Sequence, residues 1–254
     1  MPSTIAAQMY TLRDFLKTPA DVASTMKKVK KIGYDAVQLS AIGPIDAKEL
    51  GNILKGEGLT CCATHKPYER FRDEAPKMIE EHAIWGCKYT AIGGIFTKDM
   101  TAEKWKAAAA DYNAVIAKYA GSGLKLGYHN HSHELIKYDG VTAMEILIDQ
   151  LVKDAWFEID CYWITHGGGD PAAWIEKVAG RIPCVHFKDM GILPGGVQQM
   201  REVGEGNLNW PRIFEACKKA GVEWHIVEQD NCNGLDPFEC LERSLKNLKG
   251  MGLN

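Results

Sequence analysis

Six glycines, Gly33, Gly58, Gly86, Gly123, Gly180 and Gly221, each stand between a helix-like stretch and an apolar run that begins one or two residues later. Glycine at such a point supplies the left-handed residue that ends a helix, and a short loop then delivers the chain into a strand. Repeated, this is the signature of a parallel α/β protein. Strand-like and helix-like segments alternate eight times. Strands are expected at about residues 4–9, 35–39, 59–65, 88–93, 124–130, 156–160, 183–188 and 223–228. Helices are expected at about 20–32, 46–56, 72–85, 102–121, 141–152, 171–179, 209–219 and 236–249. Several starts are marked by a capping side chain, often beside a proline: Thr101, Asp170-Pro171, Asn209-Trp210-Pro211 and Asp236-Pro237. Eight βα units in 254 residues match an α/β fold of the (β/α)8 TIM barrel type, a single domain over residues 1–254. A doubly wound open sheet is the alternative, but it would carry a glycine-rich turn after its first strand. Here that strand leads into Gln8-Met9-Tyr10-Thr11-Leu12-Arg13.

Composition excludes some functions. A formal net charge of −3 gives no bulk attraction to nucleic acid or to an anionic membrane, so neither is expected as a partner. No apolar run is long enough for a membrane span. The stretch MPSTIAAQMY has neither a basic start nor a long apolar segment, so the expected location is the cytoplasm, or the periplasm if a leader has been removed. None of the eight cysteines forms a C-x-x-C pair, and they read as small buried hydrophobes in a reducing compartment.

In a barrel of this kind the C-terminal strand ends share one mouth. The tips, in order, are Gln8, Gln38, His65, Gly93 with Gly94, His129 with His131, Asp160, His186 with Lys188, and Glu228. Burying so many polar groups at one end is costly unless they are paired, so stability alone is a poor explanation. Imidazole or carboxylate at the tips of the last four strands points to a cation site with mixed N and O ligands. His82 on a helix and His225 within the last strand read as structural. His166, in the run Thr165-His166-Gly167-Gly168-Gly169-Asp170, reads as part of a turn.

The segments Tyr128-His129-Asn130-His131, Phe157-Glu158-Ile159-Asp160, Val185-His186-Phe187-Lys188-Asp189 and Val227-Glu228 resemble the xylose isomerase-like TIM barrels. More narrowly, they resemble the sugar phosphate isomerase/epimerase group, with its inosose dehydratases and ketose 3-epimerases. Arg201-Glu202-Val203-Gly204-Glu205-Gly206 with Asn209-Trp210 resembles that group's loop after the seventh strand. The resemblance implies one divalent metal ion (Mn, Mg, Co or Zn) held by Asp160, His186 and Glu228. The fifth strand departs: relatives carry Glu-Asn-His where this chain has His129-Asn130-His131. Either His129 takes the glutamate's place or Glu134 reaches back from the loop. Position favours His129; charge favours Glu134, since Mg²⁺ and Mn²⁺ prefer carboxylates and imidazole shifts preference toward Zn²⁺, Co²⁺ or Fe²⁺.

A divalent ion can polarise a sugar carbonyl and stabilise an enediolate. The family's epimerases use two carboxylates, from strands 5 and 8, on opposite faces of the substrate. With His129 in the first place, a single base suits elimination better, and His131 is the expected base, working near neutrality. Glu228 is the remaining carboxylate and Lys188 the group that holds a substrate oxyanion, unless it is only a surface partner of Asp189. Glu158 is expected on the same side as Asp160 but deeper. Gln8, Gln38, His65 and Arg201 would bind hydroxyl groups; Trp163 and Tyr68 would stack on a sugar face. The expected function is a metal-dependent isomerase/epimerase or dehydratase-like lyase acting on a keto-sugar, a keto-inositol or an oxidised glycoside through an enediolate. The alternative is a non-catalytic sugar-binding or partner subunit. DNA repair, on the same barrel in endonuclease IV, needs a three-metal cluster and a basic face that this chain lacks. Barrels of this kind often pair, so a homo-oligomer is compatible with the reading.

Overall fold

The computed structural model describes residues 5–253. The first residue of the expected opening strand, Thr4, and the segment Met1–Thr4 on which the leader reading partly rests lie outside the described residues. Eight parallel strands close into a barrel: β1 Ile5–Gln8, β2 Ala36–Leu39, β3 Thr60–His65, β4 Tyr89–Ile92, β5 Lys125–His129, β6 Trp156–Asp160, β7 Cys184–Phe187 and β8 Trp224–Val227. Each pairs with its neighbours in sequence, and β8 closes on β1. The expected barrel is therefore the observed one.

Helices cover the outside. The expected caps are in place: Thr101, Asp170, Asn209 and Asp236 each accept a backbone N–H of the helix they open. Gly33, Gly58, Gly86 and Gly221 end helices in the left-handed conformation. Gly123 and Gly180 also have positive φ, but they lie beyond helices that stop earlier, at Ala117 and Lys177. Elements not expected from the pattern are 3-10 turns at Met9–Phe15 and His133–Leu135, short helices at Tyr68–Asp73 and Cys161–His166, and two hairpins. One hairpin pairs Lys137–Tyr138 with Val141–Thr142; the other pairs Asp189–Leu193 with Val197–Arg201. His166 thus ends a helix rather than sitting in a plain turn. Among the described residues no helix is long and apolar enough to cross a membrane.

Inside the barrel the side chains fall in layers. Ala6, Ala36, Ala63, Ala91, Cys62, Cys184, Ile226 and Trp156 fill the lower part. One large indole among small neighbours needs space, and Gly127 on β5 provides it: a Cβ there would meet the Trp156 ring at 2.4 Å. Two residues further along their strands come Gln8, Gln38, Glu158 and His186, fully buried. Strand alternation brings the next inward residues to the mouth. The larger core lies between the strands and the helices and includes Val22, Met26, Phe71, Trp105, Leu147 and Leu241. Seven of the eight cysteines are buried thiols, and Cys232 is half-buried.

Candidate metal centre and active site

Strand register builds the site. Asp160 on β6 lies directly beside His186 on β7, and His129 on β5 lies beside Glu158 on β6. The chain just past β8 adds Glu228. His129, Asp160, His186 and Glu228 each present one ligand atom, and the four atoms lie within 4.8 Å of one another. His129 Nε2 is 3.2 Å from Asp160 Oδ2, and His186 Nδ1 is 2.9 Å from Glu228 Oε2.

The layer below orients these groups. Gln38 Oε1 accepts from Gln8 Nε2 at 2.6 Å and lies 2.6 Å from His186 Nε2. Its amide donates to Glu158 Oε1 at 2.8 Å, which fixes which end of the amide is the acceptor. His186 Nε2 must then carry a proton, and Nδ1 is the ring atom turned to Asp160 and Glu228; it would offer a lone pair to an ion once its own proton is given up. The Nδ1 approach to Glu228 lacks hydrogen-bond geometry, so Nδ1 is a buried polar atom with no hydrogen bond; His129 Nδ1 is another. Two imidazoles and two carboxylates around one point, with ring nitrogens that have no hydrogen bond, fit a divalent cation.

Glu134 is not brought into this cluster. It is buried, accepts from Tyr128 O–H at 2.7 Å and His131 N–H at 2.9 Å, and lies 3.3 Å from His133 Nε2. Burial raises the pKa of its carboxyl. Its contacts tie down the backbone that carries His131.

Charge is concentrated around Lys188, only 2% exposed, whose ammonium contacts Glu228 Oε2 at 2.7 Å, Asp230 at 3.0 Å and Asp160 Oδ2 at 3.1 Å. Burial pulls its pKa down, but Asp160, Glu228 and Asp230 together hold it well above the usual lysine value. Burial pushes Asp160 and Glu228 up; Lys188 leads the groups that outweigh it and hold both carboxyls well below their ordinary range. Burial likewise opposes His186, yet Glu158 and Glu228 raise it well above 6.5. Burial, with the nearby His186, lowers His129 to about 4. The surface pair of Lys188 with Asp189 is not formed. Asp189 instead accepts the N–H groups of Met190, Gly204, Gly206 and Leu208 and the Trp210 indole, fixing the loop that follows.

A cavity of about 700 Å³ opens over the cluster, lined among others by His65, Tyr68, His129, His131, Trp163, Lys188 and Glu228. His131 packs against Phe96 and Trp163, and its Nδ1 has no hydrogen-bond partner. Burial, then His129 and Lys188, depress it to about 2, far below the near-neutral titration expected from sequence; its imidazole is neutral. Trp163 Nε1 is also buried without a partner. His65 Nε2 lies 2.5 Å from Glu158 Oε2, so one edge of that ring is held from below.

Three expected hydroxyl-binding residues do not line the cavity. Gln8 and Gln38 sit a layer too deep and are used up on each other, on His186 and on Glu158. The Arg201 guanidinium is directed to Gln199, Glu205 and Glu202. Sequence reasoning missed Asp230, Arg13, Tyr10 and Phe96, which do line it. Asp230 could have been found, since it continues the inward alternation of Ile226 and Glu228. Arg13 donates to the carbonyls of Tyr10 and Asp230, and no local pattern announces it.

Comparison with known proteins agrees with this fold. The inosose dehydratase of Clostridium beijerinckii is 26% identical over 220 residues, covering 73% of this chain and 72% of that protein. A sugar phosphate isomerase/epimerase from Parabacteroides distasonis superposes with a TM-score of 0.81 at 22% identity, covering 100% of this chain and 96% of the other. The IolI protein, solved with a bound zinc atom, superposes with a TM-score of 0.73 at 16% identity over 97% of each chain. The model of the xylose isomerase-like TIM barrel family matches residues 26–250. With the closed barrel and the cluster at its mouth, the chain belongs to the xylose isomerase-like TIM barrel family.

Proposed function

We propose that the protein is a divalent-metal-dependent enzyme that removes the proton α to a carbonyl of a keto-sugar, a keto-inositol or an oxidised glycoside, completing an elimination more readily than an epimerisation. The observation that carries this is the convergence of His129, Asp160, His186 and Glu228 on one point beside His131. The bound ion would polarise the substrate carbonyl and offset the negative charge that builds on its oxygen.

The chain's own residues supply the rest. His131 is neutral and has no hydrogen bond at Nδ1, so it can accept a proton, although a pKa held down to about 2 makes it a much weaker base than an ordinary imidazole. Lys188 faces the cavity with a charge that suits a developing oxyanion. Trp163 offers a free indole N–H, and its ring and that of Tyr68 form walls on which a sugar face can stack. The cavity volume lies within the usual range for small-molecule sites.

Elimination is favoured by the fifth strand. A 3-epimerisation needs a proton acceptor on each face of the substrate, and His129 in place of a second carboxylate leaves Glu228 without an equivalent partner. The name of the Clostridium relative, a dehydratase, supports the same reading.

The test is metal-dependent exchange of solvent deuterium into a panel of ketoses, keto-inositols and 3-keto-glycosides, followed by NMR. Exchange, with loss of water or an alcohol from the β-position, is expected with Mn²⁺ or Co²⁺ and not with chelator. A metal-loaded protein that exchanges none of them would count against the proposal.

A further inference from the structure

We infer that Lys188 is a resident counter-ion of the Asp160–Glu228 pair, and that its ammonium must withdraw onto Asp230 before a divalent ion can seat. The inference rests on the metal site proposed above and concerns how that site is filled.

The two oxygens of Asp160 have different partners. Its Oδ1 accepts the Trp163 N–H at 2.9 Å and caps the helix Cys161–His166. The remaining oxygen, Oδ2, is the one that His129 Nε2 and His186 Nδ1 approach, at 3.2 and 3.5 Å. Lys188 Nζ holds that same oxygen at 3.1 Å. On Glu228, Oε2 faces His186 Nδ1 at 2.9 Å, and Lys188 takes the same Oε2 at 2.7 Å. An ion seated between the two imidazoles and these oxygens would compete with the ammonium for Asp160 Oδ2 and Glu228 Oε2. Two cations sharing buried oxygens repel each other strongly.

A second seat is already built. Lys188 Nζ contacts both oxygens of Asp230, at 3.1 and 3.0 Å, and the Asp230 side chain is 24% exposed. Asp230 is not among the four clustered ligands. A lysine stem is flexible enough to give up two of three partners and keep the third. In the metal-free protein the ammonium offsets repulsion between Asp160 and Glu228; on loading, it would lie against Asp230. The Lys188–Asp230 pair thereby sets ion affinity below what the four ligands alone would give.

The test is calorimetric titration of the full chain with Mn²⁺ and Co²⁺, and thermal melting in chelator, for the wild type, Lys188→Met and Asp230→Asn. Changes beside metal ligands shift affinity about tenfold or more. Lys188→Met should bind the ions about tenfold tighter and melt lower in chelator; Asp230→Asn should bind about tenfold weaker, having lost the second seat. If Lys188→Met does not fold without metal, Asp230→Asn still decides. Unchanged affinity in Asp230→Asn, or weaker binding by Lys188→Met, while the wild type takes up one ion, would overturn the inference and leave the metal site standing. A wild type that binds no ion would overturn the metal site and this inference with it.

Discussion

Glu158 does not line the cavity, yet much of the site hangs from it. One oxygen takes the Gln38 amide, and the other faces His65 at 2.5 Å and His186 at 3.3 Å. Neutralising it leaves the volume intact but weakens the hold on the His186 ring. Glu158→Gln should lower divalent-ion affinity about ten- to hundredfold with little change in fold, measured by calorimetric titration. His131 makes a prediction about pH. Its folded pKa is about 2 against an ordinary 6.5, so below 6.5 the unfolded chain binds the extra proton and the folded one does not. Its contribution to stability is therefore present above 6.5 and lost as pH falls. In metal-free protein, the melting-temperature difference between the wild type and His131→Phe should shift in the variant's favour from about pH 7 to about pH 5. At this scale the sequence was legible where residue type and strand position agree, as at Asp160, His186 and Glu228. It was ambiguous in depth. Gln8 and Gln38 are strand tips like the others, but how high a tip stands depends on the stagger between strands, which one strand's residues do not reveal.

The strands and most helices announce themselves because their ends have chemical causes: a capping side chain, a glycine, a proline. Elements without a spacer are harder to see. The helix Cys161–His166 begins directly after the last residue of β6, and its only signal is Asp160, whose carboxylate both caps it and joins the candidate site. The hairpin after β7 is written in Pro194-Gly195-Gly196, a turn signal whose two glycines both have positive φ. Its role as the platform tied to Asp189 emerges only when Gly204 and Gly206 come close. Packing between elements is equally hidden. Gly127 reads as a weak strand residue, but it is the space into which Trp156 fits from the next strand. Gly127→Ala would push a methyl group into that indole and should cost about 1–3 kcal/mol in denaturant unfolding, while Ala at an exposed glycine would not.

For the molecule as a whole, metal and stability are linked. An ion that binds the folded chain alone stabilises it, by about 2.7 kcal/mol at a hundredfold excess over Kd. For a chain of this size that corresponds to a rise in melting temperature of about 5–10 °C, to be read by calorimetry with and without chelator. The barrel was the most legible part of the chain, because eight repeats of one local grammar leave few ways to close a parallel sheet. The substrate is the least legible, because the cavity wall draws on Arg13, Phe96 and Asp230, far apart in sequence and unmarked by any motif. The most direct test of the account is anomalous diffraction from crystals soaked in Mn²⁺ or Zn²⁺. A single ion bonded at about 2.0–2.2 Å to His129, Asp160, His186 and Glu228, with Glu134 still on Tyr128, is the predicted result. An ion completed by Glu134 in place of His129, or no ion at saturating concentration, would contradict it.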